Sequence, residues 1–189
     1  MRTRGAPAST GGASVHDDSW FEGLFREHAG AVHRYFARRV APDDVQDLTA
    51  DVLVTAWRRR ADVPDGAELP WLYRTAGYVL ANHRRKARPV PVEDVPEDAD
   101  DVDPADLVVA DQQVRAVLAV LSPRDRRILL LHAWEGLTGA DLAVVLGVGR
   151  GGADAALSRA RARLRQAWSE QQDGFRPPAS PVVGETQTG

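Results

Sequence analysis

Cysteine is missing from all 189 residues. That excludes disulfides, thiolate metal sites and cysteine nucleophiles together, and it suits a cytoplasmic chain without requiring one. No apolar run approaches the roughly 18 residues that cross a bilayer, so no transmembrane helix is expected. The segment Met1 to Ser19, rich in Gly, Ala, Ser and Thr, lacks the apolar core of a secretory signal. Lysine is almost absent: of 24 basic residues only Lys86 is one. Histidine is sparse and scattered, and His16, His28, His33, His83 and His132 show no metal-ligand spacing such as His-Glu-x-x-His. The glycines at 147, 149, 151 and 152 have no strand before them and no Lys-Ser/Thr after them, as a nucleotide loop would need. The paired acids Asp43 and Asp44 are explained by a helix start. The chain therefore reads as no enzyme, with no cofactor, no metal and no small-molecule substrate.

What the sequence does have is a charge pattern beneath its net −3. Residues 19–88 carry 12 basic and 9 acidic side chains, residues 89–111 carry 9 acids and no base, and residues 112–172 carry 9 bases and 5 acids. Two mildly basic blocks thus flank an acidic strip, and the overall balance is a poor guide to polyanion affinity. Between Pro89 and Asp106 stand four prolines and eight carboxylates. Such a stretch cannot bury enough apolar surface to order itself, so 89–106 is expected to be a flexible acidic linker. The ends, 1–18 and 173–189, are expected as disordered tails.

Both blocks have helical periodicity and no strand pattern, which makes the fold all-α: two small helical domains, 19–88 and 107–172. Trp20, Phe21, Leu24, Phe25, His28, Val32, Tyr35 and Phe36 recur at spacings of three and four, forming one apolar stripe. A second helix opens after Pro42, with Val45, Leu48, Val52, Leu53, Ala56 and Trp57 inward. The turn-rich stretch Ala61 to Leu69 precedes a third helix starting near Pro70 and ending in Arg84, Arg85, Lys86 and Arg88. The second block begins near Leu107. Ser122-Pro123-Arg124-Asp125 is a capping box with proline at the first helical position. Thr138-Gly139-Ala140-Asp141 reads as another, opening a short helix that Gly147 stops. A last helix runs from Arg150 to about Trp168.

Two segments carry nucleic-acid chemistry. A capped short helix, the turn Gly147-Val148-Gly149 and a longer helix form the plan of a helix-turn-helix, whose second helix enters a DNA major groove. An ordinary helical hairpin would show the same spacing. The basic end Asn82-His83-Arg84-Arg85-Lys86-Ala87-Arg88 makes a phosphate-binding field, and Trp71, Tyr73 and Tyr78 on that helix are candidates to stack on unpaired bases. A solvated helix end with core aromatics explains those residues equally well.

In order along the chain, several short pieces resemble the extracytoplasmic-function (ECF) class of bacterial RNA polymerase sigma factors, of the sigma-70 superfamily. They are Phe21-x-x-Leu24-Phe25-x-x-His28, Val45-Gln46-Asp47-Leu48-Thr49-Ala50-Asp51-Val52-Leu53, Ala56-Trp57-Arg58, Pro70-Trp71-Leu72-Tyr73 and Ala81-Asn82-His83-Arg84-Arg85. Leu121 to Arg126, Trp134 to Thr138 and Leu157-Ser158-Arg159-Ala160-Arg161-x-Arg163-Leu164 continue the series. The resemblance implies that 19–88 is a sigma region 2 domain and 107–172 a sigma region 4 domain. It implies docking of Asp47, Leu48, Asp51, Val54, Trp57 and Arg58 on the clamp helices of the polymerase β′ subunit, with the β subunit as a further contact. It implies that 61–69 captures a flipped base of the minus-ten promoter element, at a cost of a few kcal/mol that the complex offsets. Trp71, Arg74, Asn82, Arg84, Arg85, Lys86 and Arg88 would hold that element. The helix-turn-helix, with Thr138, Arg150, Gly151, Asp154, Ser158, Arg159 and Arg161, would read the minus-thirty-five element as duplex. The partners implied are core RNA polymerase, promoter DNA and, in many members, an anti-sigma factor.

The chain departs from that family at its recognition helix. Where the family carries a serine and then Gly-Thr-Val-Lys-Ser-Arg-Leu, this sequence has Gly149 and then Gly151-Gly152-Ala153-Asp154-Ala155-Ala156-Leu157. A hydroxyl cap and two cations are lost, Gly151 and Gly152 each cost about 1 kcal/mol relative to alanine, and an acid stands where phosphate is expected. Weakened or altered minus-thirty-five reading follows, with Arg150, Arg159, Arg161 and Arg163 left as phosphate contacts. Gly77-Tyr78 replaces the family's usual Arg-Asn. Two other readings remain open: a stand-alone helix-turn-helix regulator, and a degenerate sigma acting only through protein interaction.

Overall fold

The computed structural model describes residues 16–87, 107–109 and 111–174. The expected linker, most of both expected tails and Arg88 lie outside those residues. Among the described residues there are seven α-helices and no strand.

The N-terminal block is built from α1 (Asp18–Ala37), α2 (Pro42–Arg58) and α3 (Glu68–Ala87). Asp17 starts α1, its carboxylate accepting the Trp20 N–H at 3.0 Å. Pro42 stands at the start of α2, with Asp43 and Asp44 in the first turn where the helix dipole favours them. A single 3-10 turn (Arg60–Asp62) and Gly66, at φ 74°, lead into α3. That helix begins two residues before Pro70. Leu24, Val32, Tyr35 and Phe36 of α1 meet Val52 and Ala56 of α2 and Leu72, Ala76 and Leu80 of α3 in the core. Each fully buried leucine there contributes about 1.5–3 kcal/mol relative to exposure.

The C-terminal block comprises α4 (Gln112–Val120), α5 (Pro123–Glu135), α6 (Gly139–Leu146) and α7 (Arg150–Gly174). Its first residues are not helical as expected. Leu107 is buried at a bend, Val108 N–H donates to the Arg38 carbonyl at 3.2 Å, and Asp111 caps α4 through two backbone N–H groups. Half of the box expected at Ser122 is present: Asp125 N–H donates to Ser122 Oγ at 3.1 Å, while the Asp125 carboxylate accepts from the Ser122 hydroxyl at 2.7 Å in place of the Ser122 backbone N–H. The one expected at Thr138 is not, since its side chain makes no cap bond. The Thr138 carbonyl accepts from Asp141 and Leu142 N–H instead. Gly147, at φ 67°, ends α6 in the left-handed region that a side chain would strain. The long last helix extends to Gly174, past the start expected for the tail at 173.

The two blocks pack on one another, α6 lying against α3, and a single apolar core runs through both. Buried Arg126 completes α4, donating to the Leu118 and Leu121 carbonyls at 2.9 and 3.0 Å.

Candidate nucleic-acid interface

Helical geometry splits α2 into two faces. Val45, Leu48, Val52, Leu53 and Ala56 turn inward, while Asp47, Asp51, Val54 and Arg58, spaced four, three and four apart, line one exposed face. Leu48 does not belong to this surface as expected: at 6% exposure it supports the face from beneath. Val54 is 44% exposed, a large apolar side chain between Asp51 and Arg58. Half-buried Trp57 closes the end of the face, its ring 5.3 Å from Phe21 and 4.5 Å below the Arg60 guanidinium. Acids beside apolar side chains are chemically suited to a partner with basic and apolar side chains.

Between α2 and α3 runs a cleft of about 580 Å³ whose walls include Arg59, Trp71, Arg74, Tyr78, Val79 and Asn82. Trp71, Arg74, Tyr78 and Asn82 follow helical spacing, so one face of α3 presents an indole, a guanidinium, a phenol and an amide together. The Arg74 Nε donates to the Tyr78 hydroxyl at 3.4 Å. Arg85 donates to Asn82 Oδ1 at 2.7 Å, and Arg85 and Lys86 are exposed beyond it. Arg84 is half-buried and donates to the Arg39 carbonyl at 3.2 Å, which ties it to the α1–α2 turn. Tyr73 is a correction to the sequence reading. It projects away from Trp71 and Tyr78, is 4% exposed, and lies 5.8 Å from the Tyr35 ring. Burial first, and the adjacent Glu135 carboxylate second, push its pKa up to about 12.

At the N-terminal end of this region His16 clamps the loop before α3. Its Nδ1 donates to the Arg60 carbonyl at 2.5 Å, and its Nε2 meets the Asp65 carboxylate at 2.8 Å. The ring stacks on Trp20 at 4.1 Å. The carbonyl and then the carboxylate raise its pKa, because both accept from a doubly protonated imidazole.

The helix-turn-helix is present: α6, the turn at Gly147 to Gly149, and α7. Leu142, Val145, Ala153 and Leu157 hold it together. Gly149 starts α7 in place of a hydroxyl cap, its carbonyl accepting the Ala153 N–H at 3.0 Å. Thr138, Arg150, Gly151, Asp154, Ser158, Arg159 and Arg161 are all exposed. Asp154 lies a turn further along α7 than expected, and its carboxylate is 3.9 Å from Arg150. Ala156, one of the two positions where a cation was missed, faces inward at 6% exposure. The remaining arginines are unequal. Arg163 donates to both oxygens of buried Asp125, at 2.8 and 2.6 Å, and Arg161 meets His132 Nε2. Both therefore fasten α7 to α5. Arg159, among the described residues, has no ion-pair partner.

A cluster that sequence reasoning missed sits where the blocks meet. The Glu135 side chain, 2% exposed, takes Arg39 Nη1 at 2.9 Å and Arg38 Nη1 at 3.5 Å. Arg38 also donates to the Trp134 carbonyl at 3.1 Å, and Tyr73 hydrogen-bonds the Glu135 carboxylate. The Arg39 guanidinium lies 3.7 Å over the Tyr35 ring and 5.1 Å from that of Trp134. One signal was available: Glu135 is an acid at a helix C-terminus, where the dipole disfavours it and a tertiary partner is needed.

Comparison with known proteins places the chain in a family. Residues 24–90 match Sigma-70 region 2, and residues 111–164 match Sigma-70, region 4. The chain is 34% identical over 155 residues to RNA polymerase sigma-E factor of Streptomyces coelicolor, covering 77% of this chain and 84% of the relative. It is 31% identical over 150 residues to ECF RNA polymerase sigma factor SigM of Mycobacterium tuberculosis, covering 76% of this chain and 74% of the relative. Among solved structures, CnrH in complex with the cytosolic domain of CnrY aligns with TM-score 0.54 at 25% identity, over 85% of this chain and 92% of that one. The sigma factor RpoE of Bartonella quintana, bound to the anti-sigma factor NepR, shares the fold at TM-score 0.54 and 19% identity, over 80% of this chain and 98% of that one.

Proposed function

The chain belongs to the sigma-70 family, as an ECF RNA polymerase sigma factor, and on that premise we propose which of its surfaces performs each task. The protein binds core RNA polymerase and directs promoter-specific transcription initiation. Its family is one of initiation factors, not enzymes. The exposed α2 face of Asp47, Asp51, Val54, Trp57 and Arg58 docks on the β′ clamp helices, with Leu48 holding it from below. The α2–α3 cleft takes the opened minus-ten strand: Trp71 and Tyr78 offer stacking surfaces, Arg74 and Asn82 polar contacts, Arg85 and Lys86 phosphate contacts. Residues 19–88 and 107–172 act as the region 2 and region 4 domains. The helix-turn-helix contributes a weak minus-thirty-five contact, because Asp154 opposes phosphate, Arg150 leans toward Asp154, and Arg161 and Arg163 are engaged with α5.

The observation that carries this assignment is the separation of the two surfaces. Acids gather on the outer face of α2, while aromatic and cationic groups gather on the neighbouring cleft. Binding of the labelled chain to core polymerase tests it, with Asp47→Arg plus Asp51→Arg as the comparison. Two like-charge contacts facing a basic partner cost about 2–4 kcal/mol, a loss of ~30- to 1,000-fold. Unchanged affinity in the double variant would overturn the assignment of α2. Loss of single-strand binding in that same variant would show that the two surfaces are not separate.

A further inference from the structure

We infer that His16, from the chain ahead of α1, is a positioning residue for minus-ten reading: it fixes the loop 61–69 that joins the two walls of the α2–α3 cleft. This rests on the minus-ten reading of that cleft given above, and it names a residue outside the cleft that sets the cleft's shape.

The loop is tied to both walls. Arg59, on the α2 side of the cleft, donates from Nε to the Asp62 carboxylate at 2.9 Å. Trp71, on the α3 side, donates its backbone N–H to the Ala67 carbonyl at 3.1 Å. Between these ties Val63 is buried, and Ala67 N–H closes a turn on the Pro64 carbonyl at 3.1 Å. A displaced loop would therefore shift Trp71 against Arg59. Two of the loop's three carboxylates are satisfied locally: Asp62 by Arg59, and Glu68 by the Gly66 N–H at 3.1 Å. Asp65 is held from outside. Its side chain is 69% exposed, and its partner His16, with a side chain 8% exposed, stacks on Trp20. Because the same imidazole also bonds the Arg60 carbonyl, it fixes the distance between the turn at Arg60 and the loop at Asp65.

Both bonds require a proton on each ring nitrogen. The charges around the ring are accounted for. Asp65 and Glu68 both favour its cationic form. The Arg60 guanidinium is turned onto Trp57, Arg59 is paired with Asp62, and Asp17 takes the Trp20 N–H and the Ser19 hydroxyl. In neutral His16 one ring nitrogen presents a lone pair to an oxygen, and the clamp opens. Asp65 is then left as an uncompensated negative charge at the rim of a site for a polyanion. Both consequences lower affinity for the opened strand. The folded pKa lies above 6.5, so the clamp is complete below pH 6.5 and is lost as pH rises through the folded value.

Holoenzyme assembled from core polymerase and the full-length chain is mixed with a duplex carrying a randomised premelted stretch, and the retained strands are sequenced against a core-only blank. Enrichment of the preferred bases should be strongest at about pH 6 and fall toward about pH 8.5. His16→Ala should lower it about fivefold or more at the acidic end and flatten the profile, since apparent affinity scales with the competent fraction. Affinity for core polymerase should stay within about twofold, because the α2 docking face is not touched. His16→Arg keeps a cation with several donors that stacks on an aromatic ring. It should restore enrichment and hold it at alkaline pH, which a merely structural role would not do. Asp65→Asn keeps an acceptor without its charge and should also flatten the profile, so the proposal stays testable if the alanine variant folds poorly. Wild-type enrichment in His16→Ala, or a wild-type profile no steeper than that of His16→Ala, would overturn the role of His16. Equal enrichment by the wild type and Trp71→Ala would instead refute the minus-ten reading of the cleft.

Discussion

The charge reversal Asp154→Lys tests the proposed weak contact of the recognition helix. In the wild type the Asp154 carboxylate is about half exposed on α7 and 3.9 Å from the Arg150 guanidinium. Replacing it with lysine changes the local charge by two and releases Arg150 from its acidic neighbour. Either cation can then reach a phosphate. Each phosphate neutralised on duplex DNA steepens the dependence of log K on log salt by about 0.9. At 0.15 M salt that slope corresponds to about fivefold in affinity for one contact and about 30-fold for two. The exposed pair itself is worth under about 1 kcal/mol, so its loss hardly affects folding. Titration of the full-length protein onto a mixed-sequence duplex, at salt concentrations from 50 to about 300 mM, measures both quantities. The expected result is a slope steeper by about 0.9 to 1.8 and an affinity raised accordingly. Arg159→Ala should shift the slope the other way by about 0.9, whereas Arg163→Ala should act on stability rather than on salt dependence. If Asp154→Lys leaves slope and affinity unchanged, Asp154 does not face DNA and the weakened-reading argument fails.

Other expectations concern the frame around these surfaces. Asp125→Ala removes the acceptor shared by the Ser122 cap and Arg163, and should lower unfolding free energy by about 2 kcal/mol, discounted for the exposure of Arg163. Denaturant unfolding followed by circular dichroism checks this, and a change below about 0.5 kcal/mol would refute it. The His16 clamp should be pH-dependent. Its folded pKa is raised above the reference 6.5 by the Arg60 carbonyl and Asp65, so its contribution is complete below pH 6.5 and fades as pH rises through the folded value. His16→Ala should remove that part of the melting-temperature profile, and an unaltered profile would exclude the clamp.

Much of this protein follows from local chemistry alone. The proline and acids at the start of α2, the Ser122 cap and the left-handed Gly147 mark helix ends wherever the chain goes, because capping is settled within a few residues. The apolar stripes of α1 and α2 follow from a helical period of 3.6, and the ordered run of short pieces from Phe21 to Leu164 identifies the family. Faces are harder. Periodicity turned Leu48 inward correctly, whereas the family motif placed the same residue on the docking surface, and only packing shows that it supports that surface from beneath. Tyr73 is aromatic on an aromatic-rich helix, yet a shift of two positions rotates it by more than half a turn, away from Trp71 and toward Tyr35.

Side-chain partners far apart in sequence were decided by the tertiary structure. Arg159, Arg161 and Arg163 look equivalent in a basic run, but Asp125 and His132 of α5 engage two of them and leave the first. Ala156 resembles a lost surface cation until the α7 packing buries it. Arg39 and Glu135, 96 residues apart, read as ordinary solvated charges at helix ends. A polar residue in a seam has the same sequence appearance as one in water, since both avoid the apolar stripe. Helix positions and family were therefore set by contacts within a turn or two. Which charges meet solvent or each other was set by the packing of α7 against α5 and of α6 against α3.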